Sequence, residues 1–358
     1  MKIKLLKAGN GDSILISFQD DEGVNRNILI DGGISETYSD DNIGIDGELK
    51  TEIDNIKTLN DKIDLLILTH IDNDHICGLL NWIEKDKEAH ILIDNVWFNS
   101  GKLIAEYLKK PENGDLNVFF NDSSTTYTGV KEGILFEKYL DENKKWDKRI
   151  IIQGMKCKKY GIQINVLSPN RSQLKKLLTE YKAKTGDNIY TSGKVTDWDI
   201  DLQTYIQEER IESLKFKQDN SCKNGSSISF ILTIKGKNFL FLGDSHPNEI
   251  VKYLKKNGHS KQNPLSVELL KISHHGSKAN TSNELLELIK TNIYAISTDS
   301  STSGHPNKRT LARIININPN AIFHFNYEYV QEKVFSKKDY SDFKNFKSKV
   351  SSDIYFEV

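Results

Sequence analysis

Apolar residues in this chain come in short unbroken runs, each stopped by a serine, a threonine, an aspartate or a glycine. Ile14-Leu15-Ile16, Ile28-Leu29-Ile30, Leu65-Leu66-Ile67-Leu68 and Phe239-Leu240-Phe241-Leu242 are of this kind. Runs so short read as strands buried on both faces, so the polar residue after each stands at a strand's carboxyl end, where sites in α/β proteins form. The pattern predicts a hairpin over 1–33 and strands over 63–68, 91–98, 162–167, 228–233, 293–298 and 354–358. Helices are expected over 171–184 and 282–289, and residues 34–60 read as a loop with a short helix. Two stretches lack a clear period. Residues 101–155, with Trp146 and alternating charges, read as a surface insertion, and 185–220 as a lid or partner surface.

The densest chemistry follows the run ending at Leu68. Thr69-His70-Ile71-Asp72-Asn73-Asp74-His75 packs four potential metal ligands into six residues. Imidazole and carboxylate are the donors expected for zinc, manganese or iron, and two adjacent clusters of them serve two ions. The competing explanation is a polar loop with Asp74 as a helix N-cap. Other strand ends repeat the arrangement: Asp12 follows Gly9-Asn10-Gly11, Asp31 ends a run just before Gly32-Gly33, Gly243-Asp244 ends another, and Ser273-His274-His275-Gly276-Ser277 ends a third. Neighbouring histidines on extended backbone point to opposite sides, so one of His274 and His275 is expected to be a ligand and the other free for proton transfer.

His70-x-Asp72-x-Asp74-His75, Gly243-Asp244 and His274-His275-Gly276-Ser277 together resemble the metallo-β-lactamase fold. More narrowly, they are similar to the soluble hydrolase domain of ComEC-type DNA-uptake proteins, a branch with Asp where the common motif has the second His, as at Asp72. Gly11-Asp12, Ile30-Asp31-Gly32-Gly33, Val166-Leu167-Ser168-Pro169, Asn224-Gly225-Ser226-Ser227 and Gly304-His305-Pro306 fall in the expected order. The resemblance implies a single α/β domain over 1–358, an αββα four-layer sandwich of two mixed sheets with helices outside and insertions at 101–155 and 185–220. It implies His70, Asp72, Asp74, His75, Asp244 and one of the histidine pair, His274 being the first choice, as ligands for one or two divalent ions, zinc or manganese. Asp74, His275 and His305 are then the catalytic candidates, Asn224, Ser227 and Ser277 the substrate-binding ones, and Asp12 and Asp31 lie behind the ligands. One departure stands out. Residues 164–230 contain no histidine, so the usual third imidazole between the first cluster and Gly-Asp is missing.

Composition narrows the function. The net charge of −1 gives no general attraction for nucleic acid. Lysines and aromatics interleave locally, at Lys156, Lys158, Lys159 and Tyr160 and from Phe335 to Lys349, a pattern that suits base stacking or an amphipathic helix equally. No run reaches the roughly 18 apolar residues of a membrane span, and the first residues enter a strand rather than a signal-peptide core, so a cytoplasmic protein without a membrane partner is expected. Three widely spaced cysteines make neither a disulfide framework nor a zinc ribbon, and Cys77 reads as a small buried helix residue. Divalent ions lower the pKa of bound water and polarise a phosphoryl oxygen. The carboxylate of Asp72 shifts preference toward manganese. The expected activity is a metal-dependent phosphodiesterase or nuclease with DNA or RNA as substrate. The alternatives are hydrolysis of a small phosphoester, or a binding or regulatory subunit with an incomplete metal site that meets partners through 101–155 or 185–220. By resemblance alone, such a protein also fits an anti-phage system.

Overall fold

The computed structural model describes residues 1–109, 129–182, 195–211 and 216–358. Two large sheets face each other. One has six strands in the order Asp353–Tyr355, Lys2–Leu5, Ile14–Gln19, Asn25–Ile30, Leu65–Ile67, Val96–Trp97. The other has eight, in the order Lys347–Val350, Ile322–Phe325, Ile293–Ile296, Leu269–Lys271, Lys237–Phe241, Ser229–Ile234, Ile162–Ser168, Lys156–Lys159.

The unbroken apolar runs follow from this layering. Alternate side chains of a strand point to opposite faces. Ile14, Ile16 and Phe18 pack between the sheets while Leu15 faces the outer helices; Phe239 and Phe241 do the same against Leu240 and Leu242. Each such side chain contributes about 1.5–3 kcal/mol when removed from water. Helices Glu48–Thr58, Asn73–Lys85 and Val130–Asn143 cover the first sheet, and Pro247–Lys256, Lys308–Ile317 and Glu328–Val334 cover the second. The architecture is the expected αββα sandwich.

Several local expectations change. The strand over 91–98 shrinks to Val96–Trp97, preceded by a short helix Ala89–Leu92, because Asp94 and Asn95 intervene and the Asn95 side chain accepts from the Val96 N–H. In 34–60 the helix Glu48–Thr58 is eleven residues long, with Leu49, Ile53 and Ile56 as its buried stripe. The periodless stretch 185–220 is described at 195–211 and 216–220; in the first portion Trp198, Leu202, Tyr205 and Ile206 are buried and the Trp198 indole donates to Pro306 O at 2.8 Å. That portion is core rather than lid. Within 101–155, of which 110–128 lie outside the described residues, Ile104, Phe136 and Leu140 join the outer core, and Trp146 stacks on Phe98. The aromatic residues near the C-terminus pack on one another: Phe335 and Phe346, both buried, have ring centroids 4.7 Å apart, and Tyr340 stacks on Phe346 at 5.1 Å. No helix among the described residues is long and apolar enough to cross a membrane.

Candidate metal centre

Parallel pairing decides where the polar strand ends meet. Asn25–Ile30 runs parallel to Leu65–Ile67, and Lys237–Phe241, Leu269–Lys271 and Ile293–Ile296 run parallel to one another, so within each sheet their carboxyl ends open at one edge. The two edges are tied together. Ile228 N–H donates to Thr69 O at 2.9 Å, and the Ser297 hydroxyl donates to Gly11 O at 2.9 Å. Gly11 has to be a glycine, since a Cβ there would lie 1.8 Å from Asp74 O.

At the centre of this edge stands Asp244. Its Oδ2 lies 3.8 Å from His70 Nε2, 3.5 Å from His75 Nε2, 3.6 Å from His274 Nε2 and 3.8 Å from His275 Nε2. Each ring is turned by a partner on Nδ1. His75 Nδ1 donates to Asp31 Oδ2 at 2.8 Å, His275 Nδ1 to Ser297 O at 3.0 Å, and His274 Nδ1 to Asn280 Oδ1 at 2.9 Å. His70 Nδ1 meets Thr69 Oγ1 at 3.1 Å, and that hydroxyl is committed to Asp31 as a donor at 2.7 Å. With Nδ1 carrying the proton, every Nε2 presents a lone pair to the same place.

Two groups of donors flank Asp244. On one side Asp74 Oδ2 is 3.4 Å from His275 Nε2 and 4.0 Å from His75 Nε2. On the other, Asp72 Oδ2 is 3.6 Å from His70 Nε2, and Lys223 Nζ is ion-paired with Asp72 Oδ1. The Nε2 atoms of His70, His75 and His275 and Oδ1 of Asp244 are buried with no hydrogen-bond partner in the protein. Buried polar atoms are normally satisfied, and an imidazole and carboxylate set with orphaned lone pairs fits a divalent cation. The helix-cap explanation fails here: Asp72, not Asp74, precedes helix Asn73–Lys85, and its side chain caps nothing.

Without an ion the charges lean on one another. Burial alone would raise the carboxyls, yet the neighbouring imidazoles hold Asp244 and Asp74 below the usual range. Asp72 is lowered against burial by His70 and Lys223, and Asp12 by Lys271, whose Nζ lies 2.7 Å from Asp12 Oδ2. His75 is raised despite burial by Asp244 and Asp31, and His275 reaches about 10, where Asp12 and Asp244 outweigh burial. His305 moves the other way, well below its ordinary value, through burial and the neighbouring histidines.

The expected residues separate into those that gather here and those that do not. His70, Asp72, Asp74, His75, Asp244, His274 and His275 do; Asp31 and Asp12 stand behind them, Asp12 Oδ1 being 3.4 Å from His275 Nδ1. His305 is half-buried, its ring 5.1 Å from that of His274. Asn224 is buried, and its Nδ2 donates to Asp219 Oδ2 at 2.7 Å. Ser227 and Ser277 are both buried and hydrogen-bonded to backbone. Ser227 is fully buried and its hydroxyl accepts from Asp244 N–H at 3.2 Å, steadying that residue; Ser277 is buried and accepts from Ala279 N–H. The histidine pair is not on extended backbone. His274, His275 and Gly276 have φ of 48°, 52° and 92°, a left-handed turn that costs a histidine about 1–2 kcal/mol and brings both rings to Asp244. The ring beside Asp74 and His75 is that of His275, expected to transfer protons.

Lys223, Lys271, Asp219 and Asn280 had no signal in the sequence. Lysine is abundant in this chain, and the partners of Lys223 and Lys271, Asp72 and Asp12, lie far away along it.

The metallo-β-lactamase superfamily model matches residues 6–298. No curated protein sequence matches. Among solved structures, the chain is similar to a Cronobacter sakazakii metallo-β-lactamase with a HARLDQ motif, at 13% identity and TM-score 0.29 over 67% of this chain. It spans 59% of that protein. It is also similar to the metallo-β-lactamase fold protein YhfI from Bacillus subtilis, with 10% identity, TM-score 0.36 and coverage of 98% of this chain and 95% of that one. A third likeness is to CmlA, a diiron β-hydroxylase from Streptomyces venezuelae, at 11% identity and TM-score 0.40, covering 99% of this chain and 54% of that one. The family match covers most of the sequence, and the chain belongs to the metallo-β-lactamase superfamily, whose members are typically metal-dependent hydrolases binding one or two ions.

Proposed function

We propose that this chain hydrolyses phosphodiesters, with nucleic acid as the leading substrate class, and that Asp74, His75, His275 and Asp244 hold a divalent ion, with His70 and Asp72 beginning a second position. The observation that carries it is the convergence of four imidazole Nε2 atoms on Asp244 Oδ2 at a strand-end edge, with the carboxylates of Asp72 and Asp74 beside those rings. An ion held there supplies Lewis acidity toward water and a phosphoryl oxygen. Manganese suits this set because carboxylate is the harder donor. The narrower resemblance to ComEC-type hydrolase domains supports the choice of phosphodiester.

The remaining residues prepare the site. Asp31 fixes the ring of His75, while Ser297 O and Asp12 fix that of His275, and Lys271 neutralises Asp12. Asp244 is held by the Ser227 hydroxyl on its N–H and by Asn280 on its carbonyl. His305, kept neutral, offers one N–H to the leaving oxygen.

A small phosphodiester is the second reading. It is favoured by the packing of Phe335 and Phe346, which removes aromatic surface from base stacking. Offering a DNA or RNA polymer and a chromogenic small diester to wild type and Asp74→Ala, in manganese and in zinc, separates the readings. Polymer cleavage that needs Asp74 supports the nuclease; cleavage of the small diester alone supports the second. Bound metal with neither substrate hydrolysed contradicts both.

A further inference from the structure

At one end of the sandwich the two sheets finish on short edge strands, Val96–Trp97 in the first and Lys156–Lys159 in the second. Between them opens a space of about 120 Å³, walled by Ile28, Trp97, Ile162 and Ile164 from the two inner faces. None of these four is more than 5% exposed, so the space reaches into the core. Close-packed interiors hold few voids larger than a water molecule, and the side chains lining one forfeit contacts while it stays empty. An apolar void of this size does not fill with water, and it has room for roughly one six-membered ring. Its mouth is charged. The Arg26 guanidinium lies 3.8 Å from the centre of the Tyr160 ring, held by Asp20 and Asp64 at 2.8 Å each. Asp64 is the carboxylate lining the space, and that pairing neutralises it. Two further cations stand at the rim. Arg149 makes only a loose pair with the exposed Asp147, at 3.6 Å, and the Lys159 ammonium lies 4.4 Å from the centre of the Tyr160 ring. An exposed pair of the first kind contributes little, and no carboxylate among the described residues pairs with Lys159.

We infer that this space is a binding site for a small carboxylate with an apolar body, an aromatic acid or a short acyl chain. The body lies against Trp97 and Ile164, and the carboxylate meets Arg149 and Lys159. Charge decides the class of ligand: the walls accept any apolar group of the right size, whereas two cations without firm partners favour an anion over a neutral molecule of the same shape. The site stands toward the amino ends of strands whose carboxyl ends carry the metal edge, since Ile28 precedes Asp31 and Leu65 precedes His70. Binding here requires no metal. Cys157 lines the same space and is partly buried, so alkylation of its thiol reports on occupancy.

The test is calorimetric titration of the full chain with benzoate, hexanoate and the neutral benzyl alcohol, together with the rate of Cys157 alkylation followed by mass spectrometry. Wild type is expected to bind one molecule of benzoate or hexanoate per chain and to protect Cys157 when it does. Benzyl alcohol is expected to bind about 10-fold more weakly, through loss of a charge-assisted hydrogen bond. Ile164→Trp fills the space and is expected to abolish binding, with its fold checked by circular dichroism. Arg149→Ala combined with Lys159→Ala, both changes on the surface, is expected to weaken the carboxylates about 10-fold and leave benzyl alcohol unchanged. A wild type that binds none of the three probes would overturn the proposal. So would carboxylate binding that the paired surface substitution does not weaken, or equal affinity for benzoate and benzyl alcohol.

Discussion

The two sides of Asp244 are built differently. The Asp74 side is tied down by charge: His75 rests on Asp31, His275 on Ser297 O and Asp12, and Asp12 on the buried Lys271. The His70 side is looser. The carboxylate of Asp72 already carries an ammonium partner, Lys223. A site whose ligands are fixed beforehand binds without ordering cost, and one whose ligand must release another partner does not. One fold edge therefore offers a firm position and a conditional one. Activity that depends on both should rise steeply with metal concentration.

The largest effect is expected from removing what the two sides share. Asp244→Asn should abolish stable binding of either ion and lower activity by more than ~100-fold, beyond the range of outer partners; metal content after dialysis checks it. His305→Ala should lower activity about 10²-fold through loss of a proton donor while leaving metal content unchanged, which sets it apart from every ligand substitution. Asp31→Asn should weaken both sides by ~10–100-fold, since Asp31 holds His75 directly and His70 through the Thr69 hydroxyl. Calorimetric titration with manganese reads that loss.

The smallest effect on the centre comes from outside it. Glu137 is buried in the outer helical layer, accepting from the Ser100 hydroxyl at 2.7 Å, and burial pushes its carboxyl up from 4.5 to about 7. The native state then binds more protons than the unfolded chain between those values. Stability from the protonated form is complete below the unfolded pKa and is lost as pH rises through the folded one. Glu137→Gln should flatten that loss, gaining about 2 kcal/mol at pH 8, with ion binding unchanged. Urea melts of the metal-free protein at pH 5 and pH 8 test it.

The sheet strands and the ligands at their ends were legible because burial on both faces leaves runs such as Phe239-Leu240-Phe241-Leu242 with no polar residue until Gly243-Asp244. Asp31 was legible for the same reason. What escaped depends on contacts that no local pattern records. Lys271 finds Asp12 across 259 positions of chain, and Lys223 finds Asp72 from a short helix in another part of the sequence. The stretch around Trp198 has no period because it packs by single side chains against Pro306 and Lys308. The backbone at His274 was read wrongly. A strand followed by His-His-Gly looks extended, yet tertiary contacts hold three left-handed residues in succession there.

The most direct test of the account is an anomalous difference map from manganese-soaked crystals. Two peaks on either side of Asp244 Oδ2 are predicted, the fuller one ligated by Asp74, His75 and His275 and the other by His70 and Asp72. A fuller peak on the His70 side, or ions that do not touch Asp244, would contradict it.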